Sequence, residues 1–221
     1  MVRSISMSVK DEGVIKYDQS KFVFIPPLPQ SEYAAVERYR KICNRLNLIG
    51  AYPDGLGFGN ISQLKDYSMF YRSSKPQFII TGTQTGEMAD LTGEHYTRIV
   101  DFDLDEFYVT GQGVVRASSE TVTHGSIYQM NPNIRAIIHF HHPLLWKHMK
   151  EANYDSTGKW VLYGTQEMAV AVKDCVGDKT QGLFVMRGHE DGGVAYGPSL
   201  NAAMNIIAGA YKKFIDKNFS I

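Results

Sequence analysis

Apolar positions along this chain change period several times, and each change marks an element. From Ser31 to about Leu48, Val36, Tyr39, Cys43 and Leu46 recur three or four residues apart. That spacing predicts one buried helical face, with Gly50 as its stop. Phe22–Ile25 is a short apolar run halted by Pro26-Pro27, and the first twenty residues are polar and read as weakly structured. A glycine-rich loop is expected over Gly55–Ser62, and a strand over Phe78–Thr81, which runs into the turn Gly82–Gly86. Two further strand-like runs, Ile99–Phe102 and Glu106–Val109, have a turn between them. A second helix is predicted from Ser118 or Ser119 through Tyr128, ended by Asn131-Pro132. Ile137–His141 reads as a buried strand, Gln166–Val176 as a helix, and Leu183–Met186 and Val194–Tyr196 as strands. The last helix opens at Ser199 and turns Ala203, Ile206, Ala210 and Phe214 inward. Strands alternating with helices, with no repeat and no linker, predict a single α/β sandwich.

Composition narrows the class. A chain of 221 residues with 43% hydrophobic and 21% charged residues suits one globular domain with a full core. Lys+Arg equals Asp+Glu, so bulk charge indicates no nucleic-acid partner. No apolar run reaches the roughly 18–20 residues that span a bilayer, and the N-terminus lacks the apolar stretch of a secretory signal. Cys43 and Cys175 read as separate buried thiols, which fits a reducing cytoplasm.

Candidate chemistry concentrates in Ile137-Ile138-His139-Phe140-His141. Residues i and i+2 of a strand share a face. His139 and His141 therefore project side by side while Ile138 and Phe140 enter a core. His189 follows another strand in a glycine-rich turn, Arg187-Gly188-His189. Three imidazoles with a fourth position open suit a catalytic zinc, and the same ligands admit manganese or cobalt. Glu120 stands at the start of the second helix, after Ser118 and Ser119. That helix end offers unpaired N–H groups and a positive dipole to an anion such as phosphate; locally the same residues also read as simple capping. His124, one turn on, reads as a helix surface residue, with orientation of the site residues as the alternative.

The segments Gly59-Asn60-Ile61-Ser62, Thr85-Gly86, Ser118-Ser119-Glu120, His139-Phe140-His141 and Arg187-Gly188-His189 occur in one order. That order resembles the class II aldolase/adducin family, from about Tyr33 to about Phe214. The resemblance implies an N-terminal extension over 1–30 and a domain over 31–221, an α/β/α sandwich around a mainly antiparallel sheet. It implies His139, His141 and His189 as zinc ligands and Glu120 as catalytic acid/base. It implies Gly59, Asn60, Thr85, Gly86, Ser118 and Ser119 as the phosphate cradle. The implied activity is a zinc-dependent aldolase of carbohydrate metabolism, cleaving or forming a C–C bond in a sugar phosphate through a metal-stabilised enediolate. The implied assembly is a homotetramer with sites at subunit borders. A zinc epimerase, dehydratase or decarboxylase on the same scaffold, or a non-enzymatic adducin-like domain, are the alternatives.

The chain departs from the family pattern at three places. The turn Thr81–Gly86 is about two residues longer; Glu190 and Asp191 directly follow His189; the stretch from His142 to Val161 is short. The family aldolases bring a tyrosine into the site from a neighbour, and Tyr154 or Tyr163 are the substitutes this chain offers. Tyr67, Phe70, Tyr71, Trp146, Tyr154 and Trp160 are the loop aromatics available for a subunit interface.

Overall fold

The computed structural model describes residues 13–67 and 74–219. Among these, eight strands form one sheet: β1 (Val23–Phe24), β7 (Tyr108–Gly113), β6 (Tyr96–Asp103), β5 (Gln77–Thr81), β4 (Asn60–Lys65), β8 (Ala136–His141), β10 (Gly192–Gly197) and β9 (Gly182–Val185), in that spatial order. Only β1 and β7 run parallel; the other neighbours are antiparallel. A separate hairpin pairs β2 (Gly50–Ala51) with β3 (Gly57–Phe58). Helices α1 (Gln30–Arg45), α3 (Pro143–Glu151) and α5 (Leu200–Phe214) cover one face of the sheet. Helices α2 (Thr121–Met130) and α4 (Gln166–Val176) cover the other. The fold is therefore the expected α/β/α sandwich around a mostly antiparallel sheet. No helix of the described residues is long and apolar enough to cross a membrane.

Strand β8 shows why two layers form. Ala136, Ile138 and Phe140 join the core under α1, α3 and α5, while Ile137 joins the core under α2 and α4. A two-residue alternation with apolar residues on both faces must be covered on both. The long helices read correctly from their spacing, since Val36 and Cys43 of α1 and Ala203 and Ala210 of α5 are buried. Ser199 caps α5 by accepting from the Ala202 N–H at 3.1 Å.

Several boundaries differ from expectation. Helix α1 ends at Arg45 rather than near Leu48. Asn47 takes a left-handed conformation at φ 53° and turns the chain, so Gly50 opens β2 instead of stopping a helix. The expected loop at Gly55–Ser62 is instead a hairpin arm followed by the central strand β4. Strand β7 begins at Tyr108, because Phe107 at φ 53° belongs to the preceding turn. Helix α3 was not anticipated: Pro143 occupies its first turn, His142 caps it, and Leu145 and Met149 supply its buried i, i+4 pair. Ser118 and Ser119 precede α2, which starts at Thr121. Near the N-terminus, Tyr17 is buried with its hydroxyl donating to Ser118 O at 3.0 Å, and Asp18 bridges to Tyr108.

Both cysteines are buried free thiols, and burial pushes each thiol up to about 12. Of the loop aromatics, Phe70 and Tyr71 lie outside the described residues. Tyr67 is buried and donates to Glu32 at 3.0 Å. Trp146 donates to Met186 O at 3.1 Å, and Tyr154 packs edge-on against Phe214. Trp160 remains 83% exposed.

A buried ion pair fastens α1 to the segment that leads out of β5. The Glu37 carboxylate accepts from Arg40 Nε at 2.7 Å, from the Tyr96 hydroxyl at 2.6 Å and from the Leu91 N–H at 2.9 Å. Arg40, 1% exposed, also donates to Met88 O at 2.8 Å and to Ala89 O. Every partner is satisfied, so the pair is held without a large net penalty; removing one partner strands the other charge. Arg40→Met should lower unfolding free energy by about 3–5 kcal/mol in urea titrations. Glu37→Leu/Arg40→Met should recover a large part of that loss.

Candidate metal centre

Strand β8 lies between β4 and β10, so its backbone is hydrogen-bonded on both sides. His139 pairs with Asn60 on one side and Val194 on the other; His141 pairs with Gly192. Both imidazoles rise from the α2-facing side, as the i, i+2 spacing requires. His189 sits in the turn between β9 and β10 and folds over Gly192. A β-carbon at Gly192 would stand 3.2 Å from the His189 ring, so a small residue there makes room for the third imidazole.

One ring nitrogen from each of His139, His141 and His189 lies within 4.8 Å of the others. All three residues are buried. Nε2 of His139 and Nε2 of His141 are 3.1 Å apart. Two nitrogens sharing a tetrahedral ion at Zn–N distances of about 2.0–2.1 Å would be roughly 3.3 Å apart, so the observed spacing matches. His139 is held well below the usual imidazole pKa by burial first, then by His189 and His124 nearby. It therefore stays neutral, the form that binds a metal. Its Nδ1 lies 3.1 Å from Gly193 O. A carbonyl only accepts, so Nδ1 carries the proton and Nε2 presents its lone pair to the cluster. The Tyr52 hydroxyl is 2.7 Å from Nδ1 of His141. The residues present thus fit a divalent ion: three imidazole nitrogens, convergent and buried, with His139 held neutral and backed by Gly193 O.

Glu120 is the residue before α2, and its side chain makes no capping bond. It is 1% exposed, and its Oε1 lies 4.0 Å from Nδ1 of His189. The Glu120 side chain thus caps nothing itself, and its carboxylate is buried beside His189 of the cluster. Ser118 Oγ accepts from the Glu120 N–H at 3.3 Å and holds the carboxylate's backbone in place.

Gly59, Asn60, Thr85, Gly86, Ser118 and Ser119 line one small cavity. These six come from three separate segments, and the turn after β5 gathers them. Gly82 bridges to Ala117, and the Ser118 N–H donates to Thr81 O at 3.3 Å. Gly86 packs so tightly that a β-carbon would sit 2.0 Å from Gly50 O. Within this turn Gln84 is left-handed at φ 56°, and its Oε1 accepts from the Gly57 N–H at 2.8 Å. Among the described residues none that lines the cavity is charged. Arg116 is exposed and donates instead to Gln19 at 2.9 Å.

Tyr163 stands beside the centre, its ring stacked on His189 at 4.6 Å, whereas Tyr154 lies with Phe214 on the other side of the sheet. The Lys16 ammonium lies 3.9 Å from the Tyr163 ring centroid and donates to Tyr163 O at 3.0 Å. His124 is fully buried rather than on the helix surface. Its Nδ1 is 2.7 Å from Ser62 Oγ, which lies 2.8 Å from the Tyr128 hydroxyl. Burial pushes the His124 pKa down to about 3, so it stays neutral. Asn60 and Ser62 occupy positions i and i+2 of β4; the alternation that singled out the two histidines would have shown their common face, had the segment been read as a strand. Tyr52 and Lys16 carry no such signal, because loop conformation alone brings them to the site.

The family profile described as Class II Aldolase and Adducin N-terminal domain matches residues 53–210. Among curated proteins no sequence matches. An L-fuculose 1-phosphate aldolase structure superposes with a TM-score of 0.62 at 20% identity, over 88% of this chain and 90% of that one. A sugar-phosphate aldolase from Thermotoga maritima gives 0.60 at 18% identity, over 83% and 91%. An L-fuculose-1-phosphate aldolase from Thermus thermophilus gives 0.57 at 19% identity, over 83% and 91%. At these identities the superpositions speak for the fold, and the profile, matching most of the chain, for the kinship: this chain belongs to the class II aldolase and adducin family.

Proposed function

We propose that this protein is a metal-dependent lyase of the aldolase type, acting on a small hydroxy-carbonyl compound that carries a phosphate. The observation that carries the reading is the convergence of His139, His141 and His189 beside the buried carboxylate of Glu120. When bound there, a divalent ion (zinc foremost, with manganese or cobalt compatible) supplies Lewis-acid charge to the substrate's hydroxyl and carbonyl oxygens. Breaking a C–C bond beside a hydroxyl releases that hydroxyl's proton and leaves an electron pair on the carbonyl-bearing fragment, which must then take up a proton. Glu120 is the group that moves this proton, shielded from bulk water by its burial. The neutral cradle of Asn60, Thr85, Gly86, Ser118 and Ser119 receives the phosphate, with N–H and hydroxyl donors close to the start of α2. Both cysteines being free and buried supports a cytoplasmic location.

The reading also carries a homotetramer. Trp160 at 83% and Leu162 at 56% exposure flank Val161 in the segment that delivers Tyr163 to the centre. A subunit covering these apolar residues would close the side of the site they border.

Protein purified without chelator should contain near one divalent ion per chain by elemental analysis. His139→Ala/His141→Ala should abolish it, and full retention would place the ion elsewhere. A panel of sugar phosphates, assayed for carbonyl fragments, should reveal turnover that falls about 10²–10⁴-fold in Glu120→Gln with metal content unchanged. Metal-loaded protein that releases no fragment from any candidate overturns the lyase reading. Light scattering coupled to gel filtration should show one discrete tetramer; a 24.8 kDa monomer at micromolar concentration contradicts the assembly.

A further inference from the structure

The β2–β3 hairpin stands outside the main sheet, yet it reaches one of the three clustered imidazoles. Its turn is closed by the Tyr52 N–H donating to Leu56 O at 2.9 Å and the Gly55 N–H donating to Tyr52 O at 2.8 Å. The closure presents the Tyr52 phenol 2.7 Å from Nδ1 of His141. The two rings meet edge to face, with centroids 6.0 Å apart at 77°. Phe58 of β3 braces both, 4.7 Å from the Tyr52 ring and 5.4 Å from the His141 ring. Phenol, phenyl and imidazole therefore form one packed unit behind the cluster.

A neutral imidazole carries its proton on one nitrogen and a lone pair on the other, and its partners decide which. For His139 the decision is made by a carbonyl. Nδ1 of His141 faces the Tyr52 hydroxyl, which can act as acceptor or donor. The other nitrogen, Nε2, faces Nε2 of His139. We propose that Tyr52 is a positioning residue of this centre: its hydroxyl oxygen accepts the Nδ1–H of His141 and so aims the Nε2 lone pair into the three-histidine cluster. The inference rests on the proposed metal-dependent reading and adds a residue to it. Tyr52 acts through His141. An outer partner of this kind fixes the tautomer and ring orientation of a ligand and raises its basicity.

Tyr52→Phe tests this with little risk to the fold, because the ring that packs on Phe58 is retained. Zinc and cobalt affinity, measured by competition with a chromophoric chelator, should fall about 10–100-fold in the variant, with an unchanged circular dichroism spectrum. A dissociation constant within twofold of the parent overturns the proposal while leaving the metal reading intact. If the parent protein itself binds neither ion, the metal reading falls and this inference with it. A second measurement needs no variant. Nitrogen-15 shifts of the histidines in zinc-loaded parent protein should show His141 protonated at Nδ1 and metal-bound through Nε2; the opposite tautomer overturns the proposal.

Discussion

The central position of β8 is the constraint on which the site depends. A strand hydrogen-bonded on both edges cannot shift register without breaking two ladders. Its six residues are all buried, with Ala136, Ile138 and Phe140 in one core and Ile137 in the other. A slip of one residue would drive both imidazoles into the apolar layer under α5 and expose that core's residues to the polar one. The packing that stabilises the sheet therefore also holds the two histidines side by side. The third imidazole is added by a turn, and Gly192 opposite His141 leaves the space for it.

Polar groups buried between the sheet and α2 must find partners or lose several kcal/mol each by desolvation. The chain meets this in part. His124 Nδ1, Ser62 Oγ and the Tyr128 hydroxyl pair with one another between β4 and α2, while His124 Nε2 and Thr123 Oγ1 are buried without a hydrogen bond. The histidine cluster is backed by Gly193 O and the Tyr52 hydroxyl. Low solvent access keeps His139 and His124 neutral, so neither of them adds positive charge to the region. A polar pocket of this kind is held by complementary donors and acceptors rather than by opposite charges, which agrees with a cradle lined by glycine, serine, threonine and asparagine.

Two devices fix the loops that complete the site. On the helix side, the Glu37–Arg40 pair holds the segment after the cradle through four backbone and side-chain partners. Asn44 on the same helix donates to Gly86 O at 3.1 Å. On the other side, the β2–β3 hairpin joins the metal centre to the cradle, since Phe58 touches His141 and the adjacent Gly57 N–H is held by Gln84. Loops fastened at both ends in this way can present catalytic groups with the precision of the sheet itself.

The local pattern of residues by itself determined the parts whose geometry repeats along the chain. The alternation of His139 and His141 fixes their common face in any strand, and the 3–4 spacing of Val36 and Cys43 or Ala203 and Ala210 fixes a helix and its inner side. Ser118-Ser119-Glu120 marked a helix start, and the order of short motifs marked the family. Only the tertiary structure decided what depends on contacts distant in sequence. Residues 60–65 became a central strand because β5 and β8 flank it, although glycines at 55, 57 and 59 read as a loop. Asn47 and Phe107 turned left-handed where packing required it, moving two boundaries. The Glu120 carboxylate came to face His189, and Arg40, charged and on the expected inner face of α1, was buried because Glu37, Met88 and Ala89 could partner it. Tyr52 and Tyr163 arrived through loop closure, for which no period exists in the sequence: an imidazole's partner 89 residues away is chosen by the folded chain, not by its local pattern.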